Sequence, residues 1–162
     1  MYKDKKIKNM TQEDKELLLR YFSIALPYGL KMQNLQEDCP VELCGINLDS
    51  EKIRYYTYKE PSLTVTLYRD LTIQEKLQFK PYLRPLVSMT EKERYEIQEI
   101  LGKDVEIFDD FINIIDSSRK RFSFLELQML LNWLNIHHFD FIGLIPKGLA
   151  IEVTEENNPY KD

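Results

Sequence analysis

The chain has 162 residues, 43% apolar and 30% charged, with a formal net charge of −5. That length suffices for one domain burying roughly 70% of its unfolded surface without a disulfide or metal. No run approaches the roughly 20 consecutive apolar residues of a membrane span, and no apolar core follows the lysine-rich first eight residues. A cytoplasmic protein with no membrane association is expected.

Residues 1–10 are polar and basic and read as a flexible arm. Thr11 is an N-cap, Glu13 and Asp14 suit the first turn, and Leu17, Leu18, Tyr21, Phe22 and Ala25 recur at helical spacing. Leu26-Pro27-Tyr28-Gly29 should end that helix, because a proline disfavours helix at the residue before it. Strand-like runs follow at 30–35, 41–48, 52–59 and 63–68, separated by Asp38-Cys39-Pro40, Asp49-Ser50 and Glu60-Pro61. Their β-branched and aromatic content and short turns predict an antiparallel β-meander, or a strongly curved SH3-like barrel. A fifth short strand near 77–79 leads into Lys80-Pro81-Tyr82-Leu83-Arg84-Pro85, where two prolines argue for an edge or an extended crossing rather than a central strand.

The C-terminal half reads as mostly helical. Thr90-Glu91-Lys92-Glu93 and Ser123-Phe124-Leu125-Glu126 are capping boxes, and Gly102 is a C-terminal stop for the first of these helices. Residues 105–115 fit helix and strand equally. From Glu91 to Asp116 nine acids meet three bases, a local charge of −6, and Arg119-Lys120-Arg121 follows directly. Such blocks are usually a solvated helix face beside a charged loop. The predicted fold is α+β: an N-terminal helix, a small antiparallel meander or SH3-like barrel, and a helical C-terminal half. One domain should span 11–155, with a flexible tail at 156–162.

The segment Asn132-Trp133-Leu134-Asn135-Ile136-His137-His138-Phe139-Asp140-Phe141-Ile142-Gly143-Leu144-Ile145 holds the only tryptophan and both histidines. Together with Leu26-Pro27-Tyr28-Gly29, Lys80-Pro81-Tyr82-Leu83-Arg84-Pro85 and Ser88-Met89-Thr90-Glu91, in that order, it resembles a family of small uncharacterised proteins. Those proteins are encoded by Bacteroidales gut bacteria and their phages or integrated mobile elements. The resemblance covers about Thr11 to Ile151 and implies a genomic setting in a bacterial host cell. It implies no activity.

Three constellations have chemical potential. His137, His138 and Asp140 form the sharpest polar cluster, but adjacent histidines at a helix end point apart and no nucleophile lies near them in sequence. A histidine there can satisfy the last free helix carbonyls and Asp140 can cap the next turn, so a structural role is expected. Cys39 and Cys44 lack two further zinc ligands, so neither a metal nor a cofactor is expected. Arg54, Tyr56, Tyr58, Tyr68 and Arg69 could share an exposed sheet face and form a partner-binding surface, since tyrosine and arginine are enriched at protein interfaces. The same residues could stack bases and hold phosphates, which makes a nucleic-acid-binding module the alternative. No catalytic constellation emerges. The expectation is a non-enzymatic accessory protein of phage or mobile-element origin, working through a protein partner and able to form a homodimer.

Overall fold

The computed structural model describes residues 9–57, 68–73, 77–115 and 123–161, with 57 and 68–71 as backbone alone. Most of the basic arm, most of the 63–68 run, Tyr58 and Arg119-Lys120-Arg121 lie outside the described residues.

The helices begin where local chemistry dictates. Thr11, Thr90 and Ser123 each close a capping box over α1 (Gln12–Ala25), α2 (Glu91–Leu101) and α3 (Phe124–Ile136). A single 3₁₀ turn, Leu26–Tyr28, follows α1, and Gly29 takes φ +66 to reverse the chain. α1 buries Leu18, Leu19, Tyr21, Phe22 and Ala25 against the sheet.

The expected meander is present: β1 (Lys31–Asn34), β2 (Cys39–Asn47), β3 (Lys52–Thr57) and β4 (Tyr68–Thr72) pair antiparallel in sequence order. Beyond β1 the sheet continues through β5 (Phe79–Leu83) to β8 (Ile151–Glu152), giving six strands in the order β4-β3-β2-β1-β5-β8. Among the described residues β4 and β8 are separate edges, so the sheet is open there.

The expectation that two prolines rule out a central strand is corrected: β5 lies between β1 and β8, antiparallel to one and parallel to the other. The register explains how Pro81 is tolerated. The Leu35 N–H donates to the Gln78 carbonyl at 2.9 Å, and antiparallel pairs alternate, so Met32–Pro81 is a non-hydrogen-bonded pair toward β1. On the other side β8 pairs only from Tyr82 onward. No ladder bond is lost at the proline.

Residues 104–115 are neither helix nor single strand. They form a hairpin, β6 (Asp104–Ile107) and β7 (Ile112–Ile115), with Asp109 and Asp110 in the turn. Val105, Ile107, Ile112 and Ile114 pack with α2 and α3 around Leu86, Ile97, Leu101, Leu130, Trp133, Leu134 and Phe139, a second core beside the one between α1 and the sheet. Phe141 touches both. Among the described residues no helix is long and apolar enough to cross a membrane.

The tail expected to be flexible is anchored at Tyr160. Its hydroxyl accepts from the Lys31 N–H at 3.1 Å and donates to the Tyr82 carbonyl at 3.0 Å, while Lys31 Nζ donates to the Pro159 carbonyl at 2.8 Å.

Candidate functional site

The histidine segment is the turn by which the chain leaves α3 and meets the end of β5. His137 caps the helix, and its Nδ1 lies 2.9 Å from the Trp133 carbonyl. Its ring stacks on the Trp133 indole with centroids 3.9 Å apart. His138 adopts φ +57, a left-handed conformation uncommon for non-glycine residues, although histidine, asparagine and aspartate take it more often than most. Its ring lies parallel to Tyr160 at 3.8 Å, pinned between the turn and the tail.

Two backbone bonds of 2.8 Å, Arg84 N–H to the His138 carbonyl and Asp140 N–H to the Arg84 carbonyl, bridge this turn to the chain beyond β5. Phe139, fully buried between them, carries the Arg84 guanidinium over its face at 4.2 Å. That guanidinium also forks onto Glu93 at 2.7 and 2.9 Å. Burial by itself would raise the Glu93 carboxyl, but bonds from Arg84 and from Thr90 outweigh it and hold the group at about 2. Both oxygens of Asp140 are engaged by backbone donors, the Leu144 N–H at 2.8 Å and the Ile145 N–H at 2.7 Å. The cluster thus contains no base oriented by an acid. Each side chain closes a local hydrogen-bond or packing requirement.

An open cleft of about 600 Å³ passes beside this turn, lined by Arg84, Ser88, Thr90, His138, Glu155 and Lys161 among others. Thr90 Oγ1 is 3.1 Å from Glu93 Oε2 within the capping box, so its proton is already engaged. Among the described residues no group of three or more His, Cys, Asp or Glu side chains converges closely enough to hold a metal ion.

His138 gives the turn an acid sensitivity. Burial, then the charges of His137, Lys31 and Arg84, depress its pKa from 6.5 to about 4. Below about pH 6.5 the unfolded chain protonates this ring while the folded chain does not, so stability falls as pH drops from 6.5 to 4 and the loss is complete below. Glu93 adds a lower window: its contribution is full above about 4.5 and is lost as pH falls toward 2. Asparagine tolerates the left-handed backbone, so His138→Asn is expected to flatten the upper window, on the order of 2 kcal/mol, and leave the lower one. Urea midpoints taken from about pH 7 to about pH 3 check this; an unchanged upper slope would exclude His138 as its source.

The tyrosine–arginine set is only partly brought together. Arg54 is exposed and Tyr56 half-buried on one face of β3, and Tyr68 pairs with Tyr56 across β4. Arg69 pairs instead with the buried Tyr55, which assigns its position to the opposite face. In the backbone register Arg54 lies opposite Asp70, and Tyr56 lies opposite Glu42. Arg54 also borders a cleft of about 370 Å³ with Cys44, Gly45, Asn47, Ser50 and Lys52, where β2 bulges between Leu43 and Gly45. A Cβ at Gly45 would sit 3.1 Å from the Arg54 Cβ, so a larger residue at the bulge would need Arg54 to give by a few tenths of an ångström.

A third surface was not singled out by sequence. On α3, Phe124 is 82% exposed, Leu125 64%, Ile136 54%, Leu127 43% and Met129 40%. The helix has one charged residue, Glu126, which is held by Lys103 at 3.3 Å and by the Ser123 capping box. At the tip of the β6–β7 hairpin Phe108 and Phe111 stack at 4.5 Å, both also exposed. The available signal was that α3 has apolar residues in every direction, which marks a helix covered on more than one side. Compared with known protein families, with curated proteins and with solved structures, the chain matches none.

Proposed function

We propose that this protein acts by protein–protein association through the apolar surface of α3, as a non-enzymatic accessory protein in a bacterial cytoplasm. The carrying observation is the set of exposed apolar side chains on α3, a helix whose single charged residue is paired with Lys103. A helix that only covered the α2–hairpin core would be polar on its far side, whereas a contiguous apolar face of this kind marks an interaction site. The phage or mobile-element setting rests on the family resemblance in the sequence. The histidine segment supports the non-enzymatic part, because its rings and carboxylate are engaged with backbone groups and neighbouring rings.

The nucleic-acid reading of the sheet face is weaker. Arg54 and Tyr56 share a face with Glu42, which lies opposite Tyr56, and an acid there opposes phosphate. The test is capture of the tagged chain, co-expressed with an untagged copy in a bacterial host, at low and high salt and with nuclease. A nuclease-resistant protein complex lost in Met129→Glu is the expected result. A salt-labile, nuclease-sensitive complex lost in Arg54→Ala instead would overturn it.

A further inference from the structure

We propose that residues 154–161 form a strap that Tyr160 latches onto the fold, and that acid releases it by protonating His138. The device is separate from the α3 surface and shares no residue with it.

The latch completes a break in the sheet. β1 and β5 pair as far as Met32–Pro81, which makes Lys31 and Tyr82 the next pair and, by alternation, a hydrogen-bonded one. The pairing stops short of them. Instead the Tyr160 hydroxyl accepts from the Lys31 N–H at 3.1 Å and donates to the Tyr82 carbonyl at 3.0 Å, so one phenol stands in for a backbone bond between two strands. Lys31 Nζ holds the strap one residue earlier, at the Pro159 carbonyl, and sits 5.8 Å from the Tyr160 ring.

Little else ties the strap down. Among the described residues none beyond Ala150 joins either core, and residues 154–157 are exposed. The bonds from the Thr154 N–H to Asn157 Oδ1, from Asn157 Nδ2 to the Glu152 carbonyl and from the Tyr160 N–H to Asn158 Oδ1 stay within the C-terminal segment. A segment with so few buried apolar contacts opens locally, well below the free energy of global unfolding.

His138 couples that opening to pH. Its ring lies flat on Tyr160, 3.8 Å away, at the edge of the open cleft between the strap and the turn. The charged groups around it are Lys31 of β1, Arg84 beyond β5 with Glu93 of α2 as its counter-ion, and His137 of the same turn. Glu155 and Lys161 of the strap line the same cleft, while Asp140 has both oxygens on backbone donors. Burial and the neighbouring cations therefore disfavour an imidazolium while the strap is closed. Opening gives the ring to water. Its pKa then returns from about 4 toward the ordinary 6.5, so protons favour the open state below about pH 6.5. From about pH 7.5 to about pH 5 the opening constant should rise roughly 30-fold.

Native-state amide exchange on the full chain reads the latch at the Lys31 N–H. Corrected for intrinsic rates, its protection should fall roughly 30-fold over that range and respond little to low urea, as local opening does. His138→Asn should loosen the strap but leave its protection independent of pH. Tyr160→Phe keeps the stacked ring and loses the hydroxyl, so Lys31 should lose protection at every pH and keep its acid response. Wild-type protection that does not change with pH overturns the proposal. So does an acid response that survives in His138→Asn, or a Lys31 amide whose urea dependence equals that of the core amides.

Discussion

Phe139→Ala is expected to lower the unfolding free energy by about 3–5 kcal/mol, the range for truncating a fully buried aromatic ring. The side chain has no exposed surface and joins the Trp133 indole, 5.8 Å away and nearly parallel, to the Arg84 guanidinium at 4.2 Å. Removing the ring opens a cavity in the second core. It also takes away the face over which the Arg84 cation sits while that cation forks onto Glu93. Phe139→Leu keeps most of the volume and should cost far less, about 1–2 kcal/mol. Urea unfolding of the pair settles the point. Equal midpoints for the two variants would mean that the second core does not depend on this ring.

Asp140→Ala comes next, at about 3 kcal/mol, and through a different mechanism. The carboxylate spans two backbone donors, Leu144 N–H at 2.8 Å and Ile145 N–H at 2.7 Å, in a turn where Leu144 is fully buried. Alanine leaves both donors without an acceptor in a place water does not readily reach, and each such loss costs roughly 1–3 kcal/mol. Asp140→Asn keeps one carbonyl oxygen for one of them and should recover about half of the deficit. Amide hydrogen exchange at residues 144 and 145 gives the residue-level check: protection should drop at both positions in the alanine variant. Intact protection there would assign the stabilisation elsewhere. Because Phe139 and Asp140 are adjacent and close the same turn, the double variant should be less destabilised than the two effects added.

These expectations put the weight of the His137–Asp140 segment on stability, while the proposed association surface is the exposed apolar side of α3. The division has a physical basis. Residues that must satisfy buried backbone groups are committed within the fold, whereas Leu125, Met129 and Ile136 satisfy nothing inside it and remain exposed.

What the sequence by itself determined is what short-range interactions decide. The three helix starts were legible because a Thr or Ser with an acid three residues on forms both capping-box bonds without help from the rest of the chain. The helix stops at Gly29 and Gly102, the meander from β1 to β3 and the cap made by Asp140 belong to the same class. Only the tertiary structure decided the rest. Pro81 argued locally for an edge, but the alternation of hydrogen-bonded pairs with β1 aims its missing donor where no bond is needed, which depends on a register set across the sheet. Residues 104–115 pair with each other and cover a core that α2 and α3 must first assemble, so their isoleucines carried no decisive period. Tyr160 is held by β1 and β5, strands distant in sequence. The exposed side of α3 was hidden for a related reason: with leucines all around the helix, only the packing of Leu130, Trp133 and Leu134 against the second core shows which face is left over.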